Sequence, residues 1–249
     1  TAIPIQNGRI YFAITKYEPK EQEDRFLAQG DAKSLIFFST DDRYRYQGFF
    51  RDTGPLCLAD LYRYYRLLDG LLKDNPDSII CHCTRRDKAT RTNAFFFFFK
   101  ATRTNAAYLI GSFAILKLGL SAQWIYEHFV DSRYSFQHYK DASNSDSSKR
   151  LSLISVFKAV EKAREVGLMV DVDEFDVDEY DHYFRVENGD INWIVPKKIL
   201  AFAGPYDKSF KVASLYAHQP DKFIEIFKKW NVTAVIRLNS PRTYSGKVF

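Results

Sequence analysis

The chain has 249 residues, of which 46% are apolar and 27% charged, enough for one large or two modest domains. A net charge of +5 without a long run of Lys or Arg argues against a nucleic-acid partner. Three cysteines are too few for a disulfide framework, and no apolar stretch approaches the ~20 residues that cross a bilayer. The composition therefore predicts a soluble, intracellular, cytoplasmic protein with no membrane partner.

Short alternating or apolar runs predict strands, and apolar residues at three- and four-residue steps predict helices. The predicted strands are 9–15, 34–40, 78–83, 199–202 and 232–238. The predicted helices are 52–73, 106–118, 121–130, 151–167 and 221–230. The first helix is expected to carry Pro55 in its first turn, and Gly119 is expected to end the second. This alternation of strands and helices is typical of an α/β protein.

One stretch of the chain is repeated. The heptapeptide KATRTNA occurs at 88–94 and again at 100–106, on either side of five consecutive phenylalanines at 95–99. The period is too short and solitary for a solenoid. A small duplication or unspliced stretch in the gene and a fault in the sequence both remain open. A functional ladder of phenylalanines is less favoured, because it would place aromatic surface on both faces of a strand.

A degenerate phosphate-binding loop follows the third predicted strand. Cysteine phosphatases build this loop as His-Cys-X5-Arg, in which the thiolate attacks phosphorus and the arginine binds two phosphoryl oxygens. His82 and Cys83 match the start of the motif, but the sixth residue after the cysteine is Ala89, and Arg91 comes two positions too late. The sequence therefore predicts a degenerate loop at His82, Cys83 and Arg91, and no catalytic residue.

Two candidate metal sites fail on their spacing. The acidic residues between Asp171 and Asp178 lack the glycine and the terminal glutamate of a calcium loop. Cys81, His82 and Cys83 would alternate between the faces of a strand, and no second Cys/His pair follows at a zinc spacing. No metal or other cofactor is therefore predicted.

Several short segments resemble the cell-division-cycle-fourteen family of dual-specificity protein phosphatases, and together they span nearly the whole chain in the family's order. They are FRDTGPL at 50–56, YRY at 62–64, His82, NAAYLIG at 105–111, DEYDHY at 178–183, ENGDINWIVP at 187–196, AFAGP at 201–205 and VTAVIRLN at 232–239. The resemblance implies a non-catalytic phosphatase-like domain at 1–186, with a central sheet flanked by helices. It implies a linker and the opening β-α-β of a second, incomplete phosphatase-like domain at 187–249.

The resemblance also implies an acidic substrate groove, which in this family favours a basic residue after phosphoserine-proline. Asp87 and Asp181 match the acidic positions of that groove. At the next position where the groove is acidic, this chain has Phe184. The groove also has an acidic pair early in the helix that follows Gly119, and there this chain has Gln123 and Trp124. Half of the charge of the groove is therefore missing.

Two functions follow from the resemblance. One is a catalytically inactive structural or docking module in a larger assembly, for which the cytoskeleton, centrosome and cilium are candidate locations. The other is the N-terminal portion of an active dual-specificity phosphatase whose catalytic loop lies beyond residue 249. The predicted strand at 232–238 would leave an open apolar edge, so we expect a protein partner or further chain to cover it. Tubulin and phosphoproteins are the candidate partners.

Overall fold

The computed structural model describes residues 2–6, 8–27, 34–48, 52–85, 93–132, 134–142, 150–169, 171–208, 210–212, 215–238, 240 and 242–245. The chain divides into two compact units, Thr1–Val172 and Asp173–Phe249. This division lies upstream of the domain boundary predicted at 186/187, which stays a prediction because compactness alone does not define a domain. Among the described residues, no helix is long and apolar enough to cross a membrane.

The first unit is built on a four-stranded sheet. Its strands are β1 (Ala2–Gln6), β2 (Ile10–Thr15), β3 (Leu35–Ser39) and β4 (Ile79–Arg85). Its helices are α1 (Pro19–Leu27), α2 (Leu58–Asp74), α3 (Asn93–Leu118), α4 (Ala122–Val130) and α5 (Leu153–Glu165). The strand order is β1-β2-β4-β3, with β4 parallel to both of its neighbours and β1 antiparallel to β2. The predicted fold class, an α/β domain with a central sheet flanked by helices, is confirmed.

The two faces of this sheet are buried to different extents. Ile10, Phe12 and Ile14, predicted to share one face of β2, are all buried in the main core with residues of α2, α3, α4 and α5. Each such side chain contributes roughly 1.5–3 kcal/mol when it leaves water. On the opposite face a smaller cluster gathers around Phe37, Cys81 and Cys83, and α1 packs beside β3. The larger core therefore lies on one side of the sheet only.

The helix α2 begins later than the sequence predicts. Gly54 has a φ of +126°, outside the helical region, and the Gly54–Pro55 peptide is cis. A Cβ at this glycine would lie 2.6 Å from the side-chain oxygen of Asn105, so no other residue fits without displacement. Residues 52–57 belong to no helix or strand, and Cys57 takes the N-cap position. The prediction that Pro55 lies in the first helical turn is wrong.

The helix α3 begins earlier than predicted and includes the second copy of the repeated heptapeptide. Thr104 and Asn105 of this copy are buried. The Thr104 hydroxyl accepts a hydrogen bond from the Gln137 N–H at 3.1 Å, and the Asn105 amide donates to the Thr53 carbonyl at 3.3 Å. The second copy thus supplies polar side chains that hydrogen-bond to the backbone at Thr53 and Gln137.

The second unit consists of short elements around a small aromatic core. They are α6 (Val177–Phe184), a 3-10 turn (Val186–Asn188), β5 (Ile191–Val195), β6 (Ile199–Phe202), β7 (Phe210–Val212), β8 (Leu215–Ala217) and α7 (Asp221–Lys229). β5 pairs with β6 and β7 pairs with β8, both antiparallel. Ile191, Phe223 and Phe227 form the buried cluster. The strand predicted at 199–202 and the helix predicted at 221–230 are confirmed.

The strand predicted at 232–238 is not formed. The backbone of these residues belongs to no strand, and the side chains of Ile236 and Leu238 are 81% and 95% exposed. An isolated strand is unstable, because its N–H and C=O groups need a neighbouring strand. No described segment pairs with these residues, so an apolar run in the sequence is not by itself enough to predict a strand here.

Candidate functional site

The strand β4 carries the residues that match the start of the phosphatase motif. In open α/β sheets, ligands bind outside the carboxyl ends of parallel strands, and β4 ends next to β2 and β3. Successive side chains of a strand point to opposite faces. His82 therefore faces the main core, whereas Cys81 and Cys83 face the smaller cluster. The histidine and the cysteine of the motif are on opposite sides of the sheet.

His82 is held in the core by two hydroxyl groups. Its Nε2 lies 2.9 Å from the Thr40 hydroxyl, and its Nδ1 lies 3.0 Å from the Tyr64 hydroxyl. The ring of Phe38 stacks on the imidazole at 4.8 Å, and Phe12 meets it edge-on. Burial lowers the pKa of His82 to about 3, so the ring is neutral at pH 7. One ring nitrogen donates a hydrogen bond and the other accepts one, which leaves no nitrogen for a substrate.

Cys83 is a buried thiol, only 1% exposed. Its sulfur lies 4.0 Å from the Cys81 sulfur and 3.8 Å from the Cys81 carbonyl oxygen. The contact with the neighbouring thiol, together with burial, raises the pKa of Cys83. A nucleophilic cysteine needs the reverse, a lowered pKa and access to substrate. This sulfur is therefore a protonated thiol at neutral pH.

A carboxyl group of the protein itself binds the backbone at the point where a phosphate-binding loop would begin. Asp41, the second residue after β3, accepts a hydrogen bond from the Arg85 N–H at 2.8 Å and another from the Thr84 hydroxyl at 2.9 Å. Burial raises the pKa of Asp41, and these two hydrogen bonds oppose that rise. In a working loop, the N–H groups after the cysteine point at phosphoryl oxygens. The N–H two residues after Cys83 is already taken by an acidic side chain.

Asp41 was not among the residues singled out from the sequence. The sequence feature that could have identified Asp41 is its position at the end of a buried strand, which lies next to β4 in the sheet. That signal depends on the strand order β2-β4-β3, because Asp41 and Arg85 are far apart along the chain. Thr40 and Tyr64, which hold His82, were missed because they too are distant from it along the chain.

The predicted groove residues, and Arg91 of the predicted degenerate loop, are only partly placed. Asp87 and Arg91 lie outside the described residues. Asp181 lies on α6 in the second unit. Gln123 and Trp124 lie in the first turn of α4, both exposed, where the Ser121 side chain caps the helix. The groove role of Asp87 and Asp181 stays a prediction.

Clusters of metal-ligating side chains are absent from the part of the chain that the structure describes. There, no group of three His, Cys, Asp or Glu side chains is arranged to hold an ion. Cys81 and Cys83 share a face, but His82 points away from them, as the alternation of a strand requires.

Comparison with known proteins gives one consistent result. Residues 4–163 match the family model described as "Dual specificity protein phosphatase, N-terminal half". The chain is 37% identical over 243 residues to dual specificity protein phosphatase CDC14AB of Danio rerio, covering 97% of this chain and 36% of that protein. It is 36% identical over 250 residues to CDC14A of Homo sapiens, covering 100% of this chain and 38% of that protein.

A more distant relative agrees. The chain is 32% identical over 258 residues to tyrosine-protein phosphatase cdc-14 of Caenorhabditis elegans, covering 99% of this chain and 35% of that protein. The chain thus spans a little more than a third of the length of these relatives. With a sheet of the expected class and matches along its whole length, the chain belongs to the CDC14 family of dual-specificity protein phosphatases and resembles their N-terminal half.

Proposed function

We propose that the chain is a catalytically inactive, phosphatase-like module with a structural or docking role in a larger assembly. The observation that carries the proposal is the state of Cys83, a buried thiol whose pKa is raised. Cysteine phosphatase chemistry needs an exposed thiolate surrounded by free N–H groups. The neutral His82 and the Asp41 carboxylate on the Arg85 N–H support the same proposal.

A second candidate is the N-terminal portion of an active dual-specificity phosphatase whose catalytic loop lies beyond residue 249. The observation that favours it is the exposure of Ile236 and Leu238. Covering these two side chains would contribute roughly 1.5–3 kcal/mol each.

We propose that either a further part of the chain or a protein partner covers these side chains. Tubulin and phosphoproteins are the candidate partners. For the inactive module, the cytoskeleton, centrosome and cilium are the candidate locations.

Isolation of the native protein from its source separates these candidates. An inactive module predicts that the isolated protein releases no phosphate from an aryl phosphate or a phosphoserine-proline peptide. A larger species with vanadate-sensitive activity would contradict the first proposal and support the second.

A further inference from the structure

Two cysteines of this chain form a close pair that the proposed function does not use. Cys81 and Cys83 are two residues apart on β4, so their side chains lie on the same face, with their sulfur atoms 4.0 Å apart. Both residues are buried, whereas Cys57 lies apart from them at the start of α2. A tetrahedral zinc site needs four ligands, which the described residues do not provide here. The pair therefore suits a ligand that takes two sulfurs.

A cavity of about 540 Å³ adjoins Cys81 of this pair. Six of the side chains that line it are Tyr11, Ala13, Leu35, Phe37, Ile79 and Cys81. They project from one face of β2, β3 and β4, which the nine-residue α1 covers only in part. Its volume is in the range of pockets that hold small organic ligands. One thiol of the pair thus opens into an apolar cavity, and the second lies directly beside it.

We propose that Cys81, Cys83 and this cavity form a binding site for trivalent arsenicals that carry an apolar substituent. Arsenic(III) is a soft, thiophilic centre, and two thiols replace its oxygen. In the reaction two arsenic–sulfur bonds form, the oxygen leaves as water with both thiol protons, and no atom is oxidised or reduced. The third bond of arsenic keeps the organic group, which lies in the cavity against Phe37 and Leu35.

The probe is phenylarsine oxide, added to the folded 249-residue chain. We expect one phenylarsenic group per chain, with the loss of two thiol protons, measured as intact mass. After removal of excess reagent, iodoacetamide labelling in denaturant is expected to spare the tryptic peptide 74–85, which holds both cysteines, and to label peptide 52–63, which holds Cys57. A dithiol such as 2,3-dimercaptopropanol should reverse the binding better than a monothiol.

Three variants test the assignment to these sulfurs. Cys81→Ala and Cys83→Ala are each expected to abolish the adduct, and Cys57→Ala is expected to keep it. Adduct formation that survives either of the first two variants, or an absence of adduct on the folded wild-type chain, would overturn the proposal. The labelling pattern of the wild-type chain decides the question even if a variant fails to fold.

The role of the cavity is tested separately. A synthetic peptide of residues 74–85 has the same two thiols and no cavity. The quantity compared is the ratio of the affinity for phenylarsine oxide to the affinity for arsenite. We expect this ratio to be at least about tenfold higher for the folded chain than for the peptide, because the phenyl group leaves water in the cavity. Equal preferences in the chain and the peptide would show that the cavity takes no part.

Discussion

Replacing His82 with alanine is expected to lower the free energy of unfolding by about 3–5 kcal/mol, because a large buried ring is lost and two buried hydroxyls lose their partner. The imidazole lies between the hydroxyls of Thr40 and Tyr64 and against the ring of Phe38. Urea unfolding of the purified chain measures the change. The matched control is His128→Ala, on the surface of α4, which is expected to cost about 0.5 kcal/mol or less. Similar losses in the two variants would contradict the structural role of His82.

The same histidine gives the chain a pH dependence. The pKa of His82 is about 3 in the folded chain, whereas an unfolded histidine titrates near 6.5. Between these values the unfolded state binds a proton that the folded state does not, so stability falls as the pH is lowered. Between pH 7 and 5.5 we expect a loss of about 1 kcal/mol from this residue, absent in His82→Ala. Asp41, whose pKa is raised by burial, acts in the opposite direction at lower pH.

Replacing Gly111 with alanine is expected to destabilise the first unit by about 1–3 kcal/mol, through overpacking between α3 and α5. A Cβ at this position would lie 2.5 Å from Cε1 of Phe157 and 3.2 Å from a methyl group of Ile125. Both neighbours are fully buried, so neither side chain has free space to move into. Urea or thermal unfolding would measure the loss.

Gly70 provides the matched control for this substitution. It lies inside α2, and a Cβ there would meet no atom within 4 Å. Gly70→Ala is therefore expected to stabilise the chain by about 0.5–1 kcal/mol, since alanine favours the helix and glycine does not. Changes of the same sign in both variants would contradict the close α3–α5 contact.

Features that depend on neighbours in the sequence were predictable. The alternation at 9–15 correctly placed Ile10, Phe12 and Ile14 on the buried face of β2. Gly119 ends α3 with a φ of +71°, as its position predicted. These features depend on the period of the side chains and on the backbone freedom of glycine, both of which are local properties.

Features that depend on contacts between distant segments were not predictable. The late start of α2 follows from Gly54, whose positive φ is not helical and which lies against Asn105 on another helix. The hydrogen bond that the Arg85 N–H donates to Asp41 depends on the order of the strands. The run at 232–238 has strand composition but no described neighbour, so its composition predicted an element that is not formed. Each case needs the tertiary structure.

Turnover of a generic aryl phosphate by the purified chain, compared with its Cys83→Ser variant, tests most directly the claim that the motif at 82–83 is structural. The buried, protonated thiol of Cys83 and the neutral His82 predict that both proteins give the rate of buffer alone. A wild-type rate above buffer that the Cys83→Ser substitution abolishes would contradict the account.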